Sequence, residues 1–172
     1  MPAKPVNLWK PGTHPSPTFL FRQGMARLAD DPKTARGQMS AAFDALPETD
    51  PLKLLAWASI VETYTLQWDD FRPLDKWISW LETRIGKGLR FADKEIEARV
   101  VTSMSKALMF RQPHHPDIDF WIDSALTAAR EFADINFRVQ TYLFIAFFYF
   151  WRGDLVRFRA IQTEIESLAA LP

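Results

Sequence analysis

The side chains best suited to chemistry fall into three groups, of which the densest is His114-His115-Pro116-Asp117-Ile118-Asp119. A first-row metal needs imidazole and carboxylate ligands converging at about 2.1 Å. Adjacent histidines do not point the same way on a helix, and the remaining histidine, His14, lies far upstream. The segment therefore reads as an inter-helix turn with a packed or capping imidazole, and no metal is expected. Carboxylates recur at Asp69-Asp70, Asp75, Glu82, Glu95 and Glu97. Glycosidase-type catalysis needs two carboxyls facing each other across a cleft, one with a raised pKa. Asp69-Asp70 stand just before a helix start, where the helix dipole favours negative charge, so capping is the simpler role. Ser103 and Ser105 have no neighbouring histidine in sequence, and cysteine is absent. No nucleophile set is recognisable and no catalytic residue is expected.

The third group is Arg99, Arg111, Arg130 and Arg138, with Tyr142, Tyr149 and Trp151 downstream. On a concave helical surface, arginines interleaved with Tyr and Trp hold an acidic peptide or a phosphorylated or carboxylated ligand. The same arginines serve equally well to pair with Glu97, Asp117 or Glu131 and bind nothing. The run from Tyr142 to Trp151 allows three roles: a pocket wall, a contact with another subunit or missing repeats, or a central helix covered on every side. The covered helix is the simplest of these.

These residues need elements to position them, and three aspartates mark where the elements begin. Asp50, Asp93 and Asp134 each open an apolar helical stretch, 43 and 41 residues apart. A near-constant period of that size is the mark of a helical-hairpin repeat, whose units bury their apolar faces only by stacking on neighbours. Residues 1–17 carry five prolines and read as an extended arm or linker, with Leu8 and Trp9 as its anchors if it docks. Residues 18–172 read as the repeat domain. Thr18 is a cap for a first helix to about Ala29, and Asp31-Pro32 starts a second to about Leu46. Asp50-Pro51 starts a third to about Trp68, and Pro73 a fourth that ends at Gly86 and Gly88. Asp93 caps a fifth, broken by Gln112-Pro113-His114-His115-Pro116, and Pro116 starts a sixth. Asp134 opens a seventh, apolar almost all round and so expected to be the most buried. Gly153-Asp154 closes it and caps an eighth. The fold class is all-α, a right-handed α-solenoid of about four antiparallel helical hairpins. A large ring closes the first helix of each pair: Trp68, Phe110 and Trp151.

Composition narrows the class. Twenty-one Lys and Arg balance 21 Asp and Glu, with no basic run, so no direct nucleic-acid contact is expected. Seven Trp and 14 Phe are rings of the kind that fill wedges between helix layers and also build partner surfaces. The lack of cysteine fits a reducing cytoplasm. The first ten residues have no apolar core of a secretory signal. The longest apolar run is ten residues, against about 20 for a bilayer span, so no membrane association is expected.

Trp80-Leu-Glu, Glu97-Ala-Arg-Val, Phe110-Arg-Gln-Pro, Trp121, Ala125-Leu, Ala129-Arg130 and Tyr149-Phe-Trp-Arg-Gly-Asp154 together resemble the tetratricopeptide-like repeats of large bacterial transcriptional regulators, the MalT-like and LuxR-associated groups. The resemblance covers roughly residues 50–170, with a unit longer than the 34 residues of the standard repeat and without its Gly-Tyr pairing. It implies a sensor or docking arm that receives a protein partner or small effector on its concave face, without a cofactor. The attached domains of such regulators are not in this sequence, which has neither a phosphate-cradling Gly-x-x-x-x-Gly-Lys loop nor a basic recognition helix. The last helix carries Leu155, Phe158, Ile161, Ile165, Leu168 and Leu171 without a polar capping helix after it, which points to a homodimer or further repeats. The reading from another class is a small stand-alone enzyme or ligand carrier with an aromatic pocket at Tyr142, Tyr149 and Trp151. A closed cavity with a carboxylate of raised pKa is what that reading requires.

Overall fold

The aspartates that set the period all act as caps. Asp50 accepts from the Leu52 N–H at 2.9 Å, Asp93 from Ile96 at 2.8 Å, and Asp134 from Asn136 and Phe137 at 2.9 and 3.2 Å. Each satisfies an N–H that has no partner inside its own helix. The structure is a computed structural model and describes residues 15–86, 88–132 and 134–170. Most of the proline-rich arm, with Leu8 and Trp9, and Leu171 at the other end lie outside the described residues.

Among the described residues the chain is all-α, with eight helices in the order α1 (Pro17–Arg27), α2 (Pro32–Ala45), α3 (Pro51–Gln67), α4 (Leu74–Gly86), α5 (Lys94–Arg111), α6 (Ile118–Glu131), α7 (Ile135–Trp151) and α8 (Leu155–Ala169). Three starts differ from the sequence reading, that of α4 by a single residue, since it begins at Leu74. The first cap is Ser16, not Thr18, with its hydroxyl accepting from the Phe19 N–H at 3.2 Å. Pro17 suits the first helical position, so the residue before it becomes the cap. The sixth helix begins two residues after Pro116, because consecutive turns hydrogen-bond His115 N–H to Gln112 and Ile118 N–H to His115.

The most extensive packing joins α1 to α2, α2 to α3, α3 to α5, α5 to α6 and α7 to α8. Smaller contacts join α6 to α7, α4 to α5, α3 to α4, α1 to α3 and α5 to α7. The odd-numbered helices thus form a connected row. Among the described residues, the backbones of α4 and α6 do not approach each other in this way. The α1–α2 crossing is tight at Gly24, where a Cβ would stand 2.7 Å from Met39 Cγ and 3.1 Å from the Ala35 carbonyl oxygen.

The seventh helix is not the most buried, and this corrects the sequence reading. That place belongs to α5, in which every residue from Val100 to Met109 is buried, including Thr102, Ser103, Ser105 and Lys106. Helix α5 touches α3, α4, α6 and α7, whereas α7 touches only α5, α6 and α8. Leu143, Phe150 and Trp151 of α7 remain more than half exposed. Leu66 of α3 is likewise exposed. No helix among the described residues is long and apolar enough to cross a membrane.

Candidate functional site

Residues three and four apart share a helix face, so each odd helix offers one stripe to a common surface. Helix α3 contributes Ser59, Glu62 and Leu66; α5 contributes Arg99, Ser103, Lys106 and Phe110; α7 contributes Phe137, Gln140, Phe144, Phe147 and Trp151. At one end these stripes, with Met25 of α1 and its C-cap Leu28, line a cavity of about 400 Å³. The other end is a continuous set of aromatic rings. We call the whole surface the inner face.

A partly buried ion pair ties the inner face together. Lys106 Nζ lies 2.8 Å from Glu62 Oε2 and 4.2 Å from the centre of the Phe144 ring. The Lys106 side chain is only 5% exposed, so Glu62 and the ring replace the water that its ammonium has lost. Ser103 Oγ donates to the Ala58 carbonyl at 3.3 Å, a second polar link between α3 and α5. These pairs span 44 and 45 residues, close to the repeat period.

Phe110 is the hub of the aromatic end. It stacks on Phe71 at 4.9 Å and meets Trp68, Phe144 and Trp151 edge-on at 4.9, 6.1 and 6.3 Å. Phe147 closes the set, 4.2 Å from Trp151 and 6.4 Å from Trp68. These rings join α5 and α7 to the C-cap of α3 and the turn after it, yet Trp68 is 52% exposed and Trp151 56%. Trp68 holds this position in the left-handed backbone region, at φ 49°, as the C-cap of α3. A bulky side chain there costs about 1 kcal/mol or more, which the ring contacts must offset.

The seven residues singled out by sequence are distributed as follows. Arg99 lies on the inner face, bonded to Glu95 at 2.9 Å and 5.9 Å from the Phe137 ring. Trp151 lies at the aromatic end. Arg111 turns towards α4 and grips Asp75 at 2.6 and 2.9 Å, holding that carboxyl below its ordinary range. Arg130 pairs with Glu164 of α8, which is lowered by that bond. Arg138 closes the end of α6, donating to the carbonyls of Ala129, Arg130 and Phe132 at 2.9–3.0 Å. Tyr142 and Tyr149 are buried, whereas Trp151, half a helical turn round from Tyr142, is exposed. Burial pushes both phenols up; a hydrogen bond to Glu164 raises Tyr142 further, while one to Arg157 partly offsets the rise at Tyr149.

His115 is a turn residue. Its Nε2 lies 2.9 Å from Glu82 and its Nδ1 accepts from the Asp117 N–H. Among the described residues no group of three or more His, Asp or Glu is placed to hold a metal. Asp70 caps its turn as read from sequence, accepting from the Arg72 N–H and guanidinium, which bring its carboxyl down to about 2. The sequence reading missed Glu62, Lys106, Phe144 and Phe147. The offset of Glu62 and Lys106 by one repeat period was the available signal. Phe144 and Phe147 were hidden in a run of rings where no polar residue marks a face.

Comparison with family models, with curated proteins and with solved structures gives no match to this chain.

Proposed function

We propose that this protein is a non-catalytic helical-repeat binding module that receives an apolar segment of a protein partner, or a small effector, on its inner face. The single observation that carries this reading is the aromatic end: six rings contiguous across α5, α7 and the turn that follows α3, with both tryptophans more than half exposed. Rings packed only to fill a core would be covered. Rings held rigid by each other and left open to water are what partner anchors bind against, because ordering them costs no further entropy on binding.

In this reading the eight helices are four tetratricopeptide-like hairpins of a right-handed α-solenoid, with the odd helices on its concave side. The resemblance to the repeats of bacterial transcriptional regulators supports a sensor or docking role, in which occupancy biases an attached domain by differential affinity for two states. The apolar end made by Leu143, Phe150, Leu155 and Val156 is where a further hairpin or a second copy would pack. The reading as an enzyme draws no support from the carboxyls. Those with a shifted titration among the described residues, Asp31, Asp70, Asp75 and Glu164, all lie below their ordinary range.

A random peptide-display selection on the immobilised protein tests the proposal. The expected result is enrichment of peptides with two or more large apolar anchors, bound by the protein but not by a Trp68→Ser/Trp151→Ser variant. Absence of enrichment, or equal binding to the variant, would overturn it.

A further inference from the structure

A second and larger cavity, of about 520 Å³, lies against a different face of α5, the one carrying Lys94, Glu97 and Val101. It occupies the space left because α4 and α6 do not pack on each other. Its floor and walls are apolar, made by Leu89, Phe91, Val101, Trp121, Ala128 and Phe132. Phe120 stands beside Trp121 at 5.6 Å as an exposed ring at the edge. The volume falls within the range of about 300–1,000 Å³ usual for small-molecule sites.

The rim is polar and unbalanced in charge. Lys94 and Glu131 close one side with an ion pair at 2.6 Å, linking the start of α5 to the end of α6. That contact uses the single cation among the described lining residues. Two further lining carboxylates, Glu97 and Asp123, are exposed and make no direct ion pair among the described residues, although Lys94 also attracts Glu97. Any occupant therefore meets an apolar slot, aromatic rings and a rim whose described side chains carry more negative than positive charge.

We propose that this cleft binds a small organic cation, an amine whose aromatic or aliphatic body fills the slot while its ammonium faces Glu97 and Asp123. An anion of the same shape would be repelled by both carboxylates. A neutral analogue would gain the apolar burial without the charge attraction or the cation–ring contact. The site is separate from the inner face, since Glu97 and Val101 lie on another side of α5 from Ser103 and Lys106. Its occupation does not depend on the proposed partner segment.

The test is titration of the protein with 1-naphthylmethylammonium, 1-naphthylmethanol and 1-naphthylacetate at low salt, followed by NMR. The ammonium should bind saturably and weaken as salt rises, the alcohol should bind less well, and the acetate least. Glu97→Gln and Asp123→Asn should each weaken the ammonium about threefold and leave the alcohol unchanged. Ala128→Trp, which fills the slot, should abolish binding of all three. Equal binding of the three ligands, no saturation at millimolar ammonium, or indifference to the two charge-removing variants would each overturn the proposal.

Discussion

Helices α5 and α7 make an instructive pair, because their burial runs opposite to their composition. Helix α5 carries Lys, Ser and Thr in its middle and is covered completely from Val100 to Met109. Helix α7 is nearly continuous in aromatic and aliphatic side chains, and three of its large ones are more than half exposed. In a stacked array, burial follows the number of neighbours, and α5 has four where α7 has three. Hydrophobicity in excess of what neighbours cover then becomes surface. On α7 one part of that excess joins Phe110 and Trp68 in the aromatic end, and the other part, Leu143 and Phe150, faces outwards.

The contrast can be broken most sharply by truncation. Leu108→Ala in α5 should cost about 3 kcal/mol, because it opens a cavity at a fully buried site. Leu143→Ala in α7 should change stability by no more than about 0.5 kcal/mol, since that side chain is already half in water. Urea unfolding of both variants checks this, and equal losses would mean that α7 is covered in solution.

A smaller effect probes why polar residues are tolerated within α5. Glu62→Ala strands the Lys106 ammonium among Phe144 and its neighbours, and should cost about 2 kcal/mol. Replacing both partners, as Glu62→Leu with Lys106→Met, should recover most of that loss. If the single and double variants are equally unstable, the pair acts by shape rather than charge.

The smallest effect is electrostatic and links α6 to α8. Glu164 is held below its ordinary value of 4.5 chiefly by Arg130 and then by Tyr142. A carboxyl lowered on folding contributes stability above its unfolded pKa and loses it as pH falls through the folded value. Glu164→Gln should therefore cost about 0.5 kcal/mol at pH 7, the pair being partly exposed, and the difference should vanish on acidification. Thermal melts of both proteins at pH 7 and pH 3 measure it; a gap that persists at pH 3 would assign the effect to packing.

What could be read from sequence divides by the range of the interaction. Asp50, Asp93 and Asp134 were legible as caps because a cap acts on N–H groups two or three residues away. The closing rings Trp68, Phe110 and Trp151 were legible as equivalent positions, though nothing local showed that they meet. The arginines were legible as candidates, but their partners were not. Arg111 finds Asp75, 36 residues back, and Arg130 finds Glu164, 34 residues ahead. Such partners depend on the register between stacked helices, which no single helix encodes. The exposure of α7 was illegible for the same reason, since a periodic apolar pattern tells which residues seek cover and not which of them receive it.

The central claim is that the aromatic end binds and the outward side of α7 does not. It is tested most directly by measuring one selected peptide against two double variants, Trp68→Ser/Trp151→Ser and Leu143→Ser/Phe150→Ser. The first should lose at least about tenfold in affinity, as removal of two exposed anchors does, and the second should bind as the unaltered protein does. Equal loss in both, or loss only in the second, would contradict the account and move the binding surface to the other side of the helix.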